Sequence, residues 1–354
     1  MVRSIVRFTL FAIALPLLSM GQVARAQSTC APGSPQLIIF HAGSLTAAFS
    51  PLERLFTQQT GICVTDVAAG SVDAARQVTT GGKACDIYAS ADYADIDLFL
   101  KPTGYASYNI IFAQGGMVLA YTTNSKNAGT IAPANSTFSP PAFVPPAAAD
   151  WYSQLTQTGV NIAGSHPFLD PSGYRADMIF QLAEQHYSVP DLYDTLLSHY
   201  SISKASDALG KTYDYQLIYE HSAFAAYNAD ATKMYRYVRL PDDLNLANPA
   251  YQREYETASV LMPGLRAPGT PARVLVPATR VMWGLTIMDG APHPGNAVKF
   301  LQLLFGSQGV AQQTATGPAP ISPPIVSRSD YARVPVSLQS LVTVRSLRHD
   351  GHDD

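Results

Sequence analysis

Short apolar runs alternate with amphipathic stretches along the first third of the chain. Residues 37–40 form a continuous apolar run that is typical of a buried strand, and residues 45–59 follow with the periodicity of an amphipathic helix. The plan recurs with a strand-like run at 63–67, a helical stretch at 72–80 and another strand-like run at 86–89. Strands that alternate with helices favour parallel βαβ units, so the pattern predicts an α/β fold.

Later patterns predict a second lobe and a return of the chain to the first. A strand at 116–121 leads out of the first lobe into a Pro-, Ala- and Ser-rich stretch, residues 131–149, that we expect to be a surface loop. The second lobe is predicted to contain a helix at 173–187 and strands at 213–219 and 235–238. We expect strands that rejoin the first lobe at 273–277 and 281–287, and a helix after them at 296–305.

The predicted domain organisation is therefore discontinuous. Residues 31–119 and 281–344 form lobe I, residues 120–280 form lobe II, and two strands connect the lobes. Each lobe is predicted to be a mostly parallel sheet flanked by helices. The polar residues 345–354 are predicted to be a disordered tail.

The N-terminal segment has the three-part layout of a secretory signal peptide. Arg3 and Arg7 precede an apolar run at 8–20, and the small-residue pattern at 24–26 follows it. The run is shorter than the roughly 20 residues that a membrane span needs, and Pro16 interrupts it. We therefore expect residues 1–26 to be cleaved off and the protein to be periplasmic.

Composition restricts the function classes. Hydrophobic residues make up 47% and charged residues 14% of the chain, and the net charge of −3 gives no basic patch that would suggest nucleic acid. The cysteines are Cys30, Cys63 and Cys85, which leaves either one disulfide or three buried thiols open. No CxxC or Cys/His ligand spacing occurs, so we expect no free metal cation as ligand and no cofactor.

Two Gly-Ser pairs, Gly43-Ser44 and Gly70-Ser71, stand between a predicted strand and a predicted helix. A helix start presents free backbone N–H groups and the positive end of the helix dipole, which together favour an anion. The serine hydroxyls add donors, and glycine lets the backbone approach a ligand closely. Because α/β sheets place ligands at the carboxyl ends of their strands, the two turns predict an anion site, although each serine could also be a simple N-cap.

Five segments in order resemble a known family: HAGSL at 41–45, AAGSV at 68–72, DIYASADY at 86–93, LDPSGYR at 169–175 and DYQLIYE at 214–220. The likeness also includes LPDDLNL at 240–246 and the closing GPAPISPP, and it extends over residues 37–324. The chain resembles the molybdate/tungstate solute-binding proteins of ABC importers, in particular their tungstate-type branch.

The resemblance implies a type II periplasmic-binding-protein fold that closes about a hinge and delivers its ligand to an ABC permease in the membrane. Its implied ligand is molybdate or tungstate, and we expect the protein to be a monomer. It implies that the first lobe binds the anion through Ser44 and Ser71 with their neighbouring amides at Gly43 and Gly70. It also implies that Asp170 and Tyr219 of the second lobe bind the anion. A tetrahedral dianion offers only acceptors, so hydroxyl and backbone N–H donors suit it without lysine or arginine.

The chain departs from the tungstate-type pattern at one place. Ile218 stands where that branch carries a glutamate that approaches the metal of the oxyanion. Glu220 lies two residues further on, on the same face if the segment is a strand, and is therefore a candidate substitute. Asp170 also precedes Pro171 at a predicted helix start, where an N-cap role is expected. Together these features favour four-coordinate recognition by hydrogen bonds alone.

Other residues have competing interpretations. Arg175 is expected to pair with an acid or a carbonyl rather than with the anion. His41 is expected to pack or to form a hydrogen bond beside the first turn, because the sequence offers no clustered histidine and acid set. Tyr227 and Tyr235 are spread rather than paired, which disfavours a ferric-binding protein.

Two rival functions remain open at this point. A receptor for sulfate or another oxyanion would use the same two serine turns, because such turns do not distinguish anions of similar size. An exported hydrolase would use Ser44 or Ser71 as nucleophile, but neither turn has the GxSxG pattern, and His41 has no evident carboxylate partner in the sequence. We therefore expect a binding protein rather than an enzyme.

Overall fold

A computed structural model describes residues 33–131, 150–203, 208–265 and 271–345. The predicted signal peptide at 1–26, the predicted loop beyond Ile131 and the tail beyond Arg345 lie outside the described residues. Within the described ranges, no helix is both long enough and apolar enough to cross a membrane.

The strands alternate with helices in the first third of the chain, as the apolar pattern predicts. In chain order the strands are β1 Gln36–Ala42, β2 Cys63–Ala69, β3 Ile87–Ser90, β4 Ile110–Gln114, β5 Met117–Thr122, β6 Ile162–Gly164, β7 Tyr200–Ile202, β8 Tyr215–Tyr219, β9 Tyr235–Arg239, β10 Ser259–Pro263, β11 Arg273–Pro277, β12 Met282–Ile287, β13 Ala319–Val326 and β14 Thr343–Val344.

The helices that flank these strands differ widely in length. They are α1 Thr46–Thr60, α2 Ser71–Val78, α3 Ala128–Ile131, α4 Trp151–Leu155, α5 Pro171–Tyr187, α6 Leu192–Ser198, α7 Glu220–Ala229, α8 Gln252–Tyr255, α9 Pro294–Phe305, α10 Ser307–Thr316, α11 Arg328–Tyr331 and α12 Val336–Gln339. Short 3₁₀ turns occupy Gly43–Leu45 and Pro249–Tyr251, and a π-helical turn occupies Ile96–Leu100.

The strands form two main sheets, one in each lobe. The first sheet has seven strands in the order β14-β13-β4-β12-β3-β1-β2, and the second has five in the order β7-β6-β8-β5-β9. We call the elements around the first sheet lobe I and those around the second sheet lobe II. The α/β fold with helices flanking each sheet is confirmed.

Both sheets are mixed, which corrects the expectation of mostly parallel sheets. In lobe I, β12 lies antiparallel between β3 and β4. In lobe II, β5 lies antiparallel between β8 and β9. Each of these reversed strands is the one that enters its sheet directly from the other lobe, and its direction follows from that entry.

The strand β11 does not rejoin the first lobe, contrary to the sequence prediction. It pairs with β10 in a separate two-stranded antiparallel ribbon. The physical reason lies in burial: β12 is buried at every position, as a central strand must be, whereas β11 exposes Leu275 and buries only Val276 completely. An apolar run in the sequence does not distinguish a central strand of a sheet from a strand of an exposed ribbon.

The chain crosses from lobe I to lobe II between Gln114 and Met117, a few residues before the boundary suggested at 119. The segment after β9 supports both crossings: Met117 N–H donates to the Asn245 carbonyl at 2.8 Å, and Val281 N–H donates to the Leu246 carbonyl at 2.7 Å. A Cβ at Gly116 would lie 2.7 Å from Cβ of Ala247, so this crossing requires a glycine.

Helix α1 contains Pro51, which has no N–H for the carbonyl of Ala47 four residues earlier. The hydroxyl of Thr316, at the end of α10, donates to that carbonyl at 2.8 Å. The tertiary contact therefore satisfies an acceptor that the helix itself leaves free, and it ties the C-terminal helices to α1.

The disulfide alternative is confirmed for the cysteines that the structure describes. Cys63 is disulfide-bonded, and Cys85 is a buried free thiol whose pKa burial raises to about 12. Cys30 lies outside the described residues.

Candidate functional site

A cleft of about 250 Å³ lies between the two lobes at the carboxyl ends of β1, β3 and β8. Its lining comprises Ala42, Gly43, Ser44, Ala91, Ser165, Asp170, Ser172, Gln216, Leu217, Ile218, Tyr219 and Ser222. Five of these residues carry hydroxyl groups, one carries a carboxylate, and none of these lining residues is a lysine or an arginine. The cleft is therefore rich in neutral hydrogen-bond donors.

The first Gly-Ser turn forms one wall of the cleft. After β1 the chain enters the 3₁₀ turn Gly43–Leu45 and then α1. The Ser44 hydroxyl accepts a hydrogen bond from the Trp283 indole N–H at 3.1 Å. Because an oxygen lone pair is already engaged, the hydroxyl proton remains available to donate to a ligand.

His221 ties this turn to lobe II. Its Nε2 lies 2.9 Å from the Ser44 carbonyl, which can only accept, so Nε2 carries the proton and donates. Burial lowers the pKa of His221 to about 4, and the ring is therefore neutral at pH 7. The imidazole also packs against Trp283, with ring centroids 5.3 Å apart.

The second Gly-Ser turn lies beside the cleft and faces lobe II directly. Ser71 is fully buried, and its hydroxyl accepts from the Ala91 N–H at 3.0 Å. At the start of α2, the Asp73 N–H donates to the Leu169 carbonyl of the other lobe at 3.1 Å. A Cβ at Gly70 would lie 2.4 Å from the same Leu169 oxygen. This turn therefore packs directly against lobe II.

Tyr219 ends β8 and serves as the residue before α7, which places its ring at the cleft. Its hydroxyl accepts from Arg175 Nη1 at 2.9 Å, and the guanidinium carbon lies 5.6 Å from the ring centroid. Burial raises the pKa of Tyr219 well above its ordinary value, so the phenol keeps its proton. As with Ser44, a neighbour supplies the accepted hydrogen bond and leaves the O–H free to donate.

Arg175 is buried and joins the lobes. Its Nη1 donates to the Ala91 carbonyl at 2.7 Å, and its Nη2 lies 3.2 Å from Asp92 Oδ2. The Tyr174 hydroxyl donates to the same Asp92 oxygen at 2.7 Å. The prediction that Arg175 pairs with an acid or a carbonyl is confirmed, because it pairs with both, and both belong to lobe I.

Asp170 is the N-cap of α5, which confirms that interpretation. Its Oδ1 accepts from the Ser172 N–H at 2.8 Å and from the Ser172 hydroxyl at 2.9 Å. Burial raises the pKa of the Asp170 carboxyl above its ordinary value. The side chain also lines the cleft, so a contact with the anion stays a prediction.

Glu220 lies away from the cleft, and we correct its place in the candidate site. The alternation of a strand does not extend to it, because β8 ends at Tyr219 and α7 begins at Glu220. Its Oε1 accepts from Arg239 Nε at 2.8 Å, and the residue lines a separate cavity of about 420 Å³.

The structure corrects the interpretation of His41, which has carboxylate neighbours. The ring is fully buried; Nδ1 donates to the Ala42 carbonyl at 2.7 Å, and Nε2 lies 2.6 Å from Asp66 Oδ1. Glu53 is also close, and burial raises its pKa to about 7. The prediction of a hydrogen bond beside the first turn is confirmed, and the expectation that no clustered histidine and acid set exists is wrong.

Sequence reasoning missed several residues of the site. Ser222 and His221 follow the DYQLIYE segment directly, so extending that segment by one helical turn would have found them. Ser165 and Ser172 reach the cleft, and their hydroxyl oxygens lie 2.9 Å apart. Trp283 is far from the other site residues in sequence, and no local pattern indicates its contact with Ser44.

A donor-lined cleft between two α/β lobes, joined at two crossings, is the arrangement of a protein that binds a small solute. The model of the bacterial extracellular solute-binding proteins matches residues 37–317, and the chain therefore belongs to this family. An uncharacterized solute-binding protein of Methanoculleus marisnigri is 31% identical over 336 residues, covering 88% of each chain.

Two further proteins share most of their length with this one. The molybdate/tungstate-binding protein WtpA of Pyrococcus abyssi is 27% identical, with 94% of this chain and 97% of WtpA covered. The sulfate-binding protein SubI of Mycobacterium tuberculosis has a similar structure, with a TM-score of 0.51, 14% identity, and coverage of 81% of this chain and 87% of SubI. The second likeness supports the fold.

Proposed function

We propose that the protein captures molybdate or tungstate in the interlobe cleft, outside the cytoplasm, and delivers the anion to an ABC importer. The observation that carries the proposal is the lining of the cleft, which combines five hydroxyl side chains with no lysine or arginine. The likeness to WtpA, named for molybdate and tungstate, agrees with it.

The donors in the proposed site are prepared for an acceptor-only ligand. Arg175 donates to the Tyr219 hydroxyl and Trp283 donates to the Ser44 hydroxyl, so both hydroxyl protons can be directed at the anion. A phosphate that still carries a proton would present a donor to these donors, which leaves groups unpaired at about 1–3 kcal/mol each. Molybdate and tungstate are fully ionised at neutral pH and avoid this cost.

Capture and release follow from relative movement of the lobes. The open form would bind the anion at the first turn, through Ser44 and the neighbouring amides. Closure would then add Tyr219 and the hydroxyls of lobe II, while Arg175 reaches Asp92 and His221 reaches the Ser44 carbonyl. The permease would recognise the closed form.

Hydrolysis at Ser44 has little support from the geometry. The Ser44 hydroxyl meets an indole N–H rather than a base, and Nε2 of His221 donates its proton to the Ser44 carbonyl. His41 turns its Nε2 toward Asp66. A nucleophilic serine needs an imidazole lone pair at its hydroxyl.

A panel of anions tests the proposed ligand. Calorimetric titration with molybdate, tungstate, sulfate and phosphate is expected to give one site per chain for molybdate and tungstate. Phosphate is expected to bind about 10- to 100-fold more weakly, because its remaining proton leaves a donor of the site unpaired at about 1–3 kcal/mol. Tighter binding of sulfate than of molybdate would favour the alternative sulfate receptor. No binding of any of the four would contradict the proposal.

Tyr219→Phe tests the donor in lobe II. Removing one charge-assisted hydrogen bond is expected to weaken molybdate binding by about 1.5–3 kcal/mol, roughly 10- to 150-fold, while the ring packing is kept. Glu220→Gln is the matched control at the neighbouring position, because Glu220 contacts Arg239 outside the cleft, and it should leave the affinity unchanged. Equal losses in the two variants would mean that the site is placed wrongly.

A further inference from the structure

A buried cluster behind the first turn has an arrangement that the binding of an oxyanion does not explain. The side chains of His41, Glu53 and Asp66 bring one nitrogen and two carboxylate oxygens within 4.8 Å of one another. His41 belongs to β1, Asp66 to the neighbouring β2, and Glu53 to the face of α1 that packs on this sheet. We propose that these three residues bind one divalent transition-metal ion.

The tautomer of His41 supports the proposal. Its Nδ1 lies 2.7 Å from the Ala42 carbonyl, and because a carbonyl only accepts, Nδ1 carries the proton. In the neutral ring, the lone pair of Nε2 then points away from Ala42, toward the carboxylate of Asp66, and a metal ion bound there would take the place of a second ring proton. Metal-binding histidines commonly hold their second ring nitrogen on a backbone carbonyl in this way, which fixes the ring and its basic nitrogen.

Two buried atoms of the cluster lack a hydrogen bond. Nε2 of His41 is 2.6 Å from Asp66 Oδ1, but the approach does not have hydrogen-bond geometry, and Oε1 of Glu53 has no partner. Glu53 is 7% exposed and His41 is fully buried. An unpaired buried acceptor destabilises the fold, and a cation between the three side chains would satisfy both atoms at once.

The ligand set indicates the kind of ion. One imidazole nitrogen and two carboxylate oxygens suit zinc, which binds such ligands at about 2.0–2.2 Å. The Asp66 side chain is 29% exposed, which gives the ion a route from solvent and leaves room for a water ligand. The site is distinct from the anion cleft, because none of the three residues lines that cleft.

Calorimetry with zinc chloride on metal-free, untagged full-length protein tests the proposal. One zinc ion per chain is expected, and Glu53→Gln or Asp66→Asn is expected to weaken its binding about 100-fold or more, because each removes one of three protein ligands and loss of an outer-shell partner alone already costs about 10- to 100-fold. Asp66 is partly exposed, so Asp66→Asn keeps the test valid if changes at the buried positions impair folding, which circular dichroism checks.

Two controls separate this site from other zinc-binding groups. His186 pairs with Asp243 outside the cluster, and His186→Gln should leave the affinity unchanged. The C-terminal HDGHDD contains His349 and His352, and a variant with both changed to Gln should also keep the tight site. The proposal is overturned if the wild-type protein binds no zinc, if tight binding survives both cluster variants, or if it disappears with the tail histidines.

Discussion

Gly70→Ala is expected to weaken molybdate binding by about 3–6 kcal/mol, more than about 100-fold, without unfolding either lobe. The backbone of Gly70, with φ −63° and ψ 140°, suits alanine, so lobe I tolerates the change. The added Cβ would lie 2.4 Å from the Leu169 oxygen and 3.1 Å from Cβ of Asp170. Both atoms belong to lobe II, so they can move away from the added Cβ only if the two lobes separate. The anion would then lose at least two lobe II donors.

Calorimetry and small-angle scattering check this prediction together. The variant should bind weakly and keep the larger radius of an open molecule in the presence of molybdate. Gly295→Ala is the matched control, because a Cβ there meets nothing within 4 Å, and it should bind like the wild type. Native affinity in Gly70→Ala would show that closure does not bring these surfaces together.

Arg175→Met is expected to cost about 3–5 kcal/mol of molybdate affinity, because it leaves the buried Asp92 carboxylate without its cation. Tyr174 still donates to Asp92, but the bonds to Ala91 and to Tyr219 are lost as well. Since Asp92 and Arg175 belong to different lobes, opening lets water solvate the carboxylate. The cost therefore falls on closure and on anion binding, and the melting temperature of each lobe should change little.

A double-mutant cycle separates the ion pair from simple loss of packing. Asp92→Asn combined with Arg175→Met removes the buried charge, and this double variant should bind molybdate more tightly than Arg175→Met alone. If the double variant binds more weakly than Arg175→Met, the unpaired charge is not the cause. Titration calorimetry on the four proteins of the cycle gives the coupling energy.

Local pattern predicts much of lobe I and part of the site. The run at 37–40 and the periodic stretch at 45–59 correspond to β1 and α1, and the first Gly-Ser turn lines the cleft. These elements lie close together in the sequence, and their burial repeats with the period of their secondary structure. Ser44 therefore follows from local pattern, whereas Tyr219 follows from the family resemblance of its segment.

Long-range pairing accounts for most of what the sequence leaves out. Periodicity indicates that 273–277 is a strand but not that it pairs with β10 rather than with the first sheet. The contact between Trp283 and Ser44 joins residues 239 positions apart. The expected position of Glu220 is wrong for a local reason, because the strand ends one residue earlier and a helix changes the direction of its side chain. Of the lobe II serines in the cleft, Ser172 lies within the LDPSGYR segment and Ser222 lies just after DYQLIYE, whereas no pattern indicates Ser165.

The contacts that hold the lobes together accept mostly at main-chain carbonyls: those of Ser44, Ala91, Phe168, Leu169 and Pro263. Every residue type carries that oxygen, so substitutions at the accepting positions preserve the acceptor as long as the backbone keeps its path. Evolutionary drift can therefore alter much of one rim of the cleft while closure persists. Among the described residues, this interface depends on particular amino acids at the donors Arg175, Arg76, His221 and Tyr174, at the Asp92 carboxylate that accepts from Tyr174 and pairs with Arg175, and at Gly70, where a Cβ does not fit.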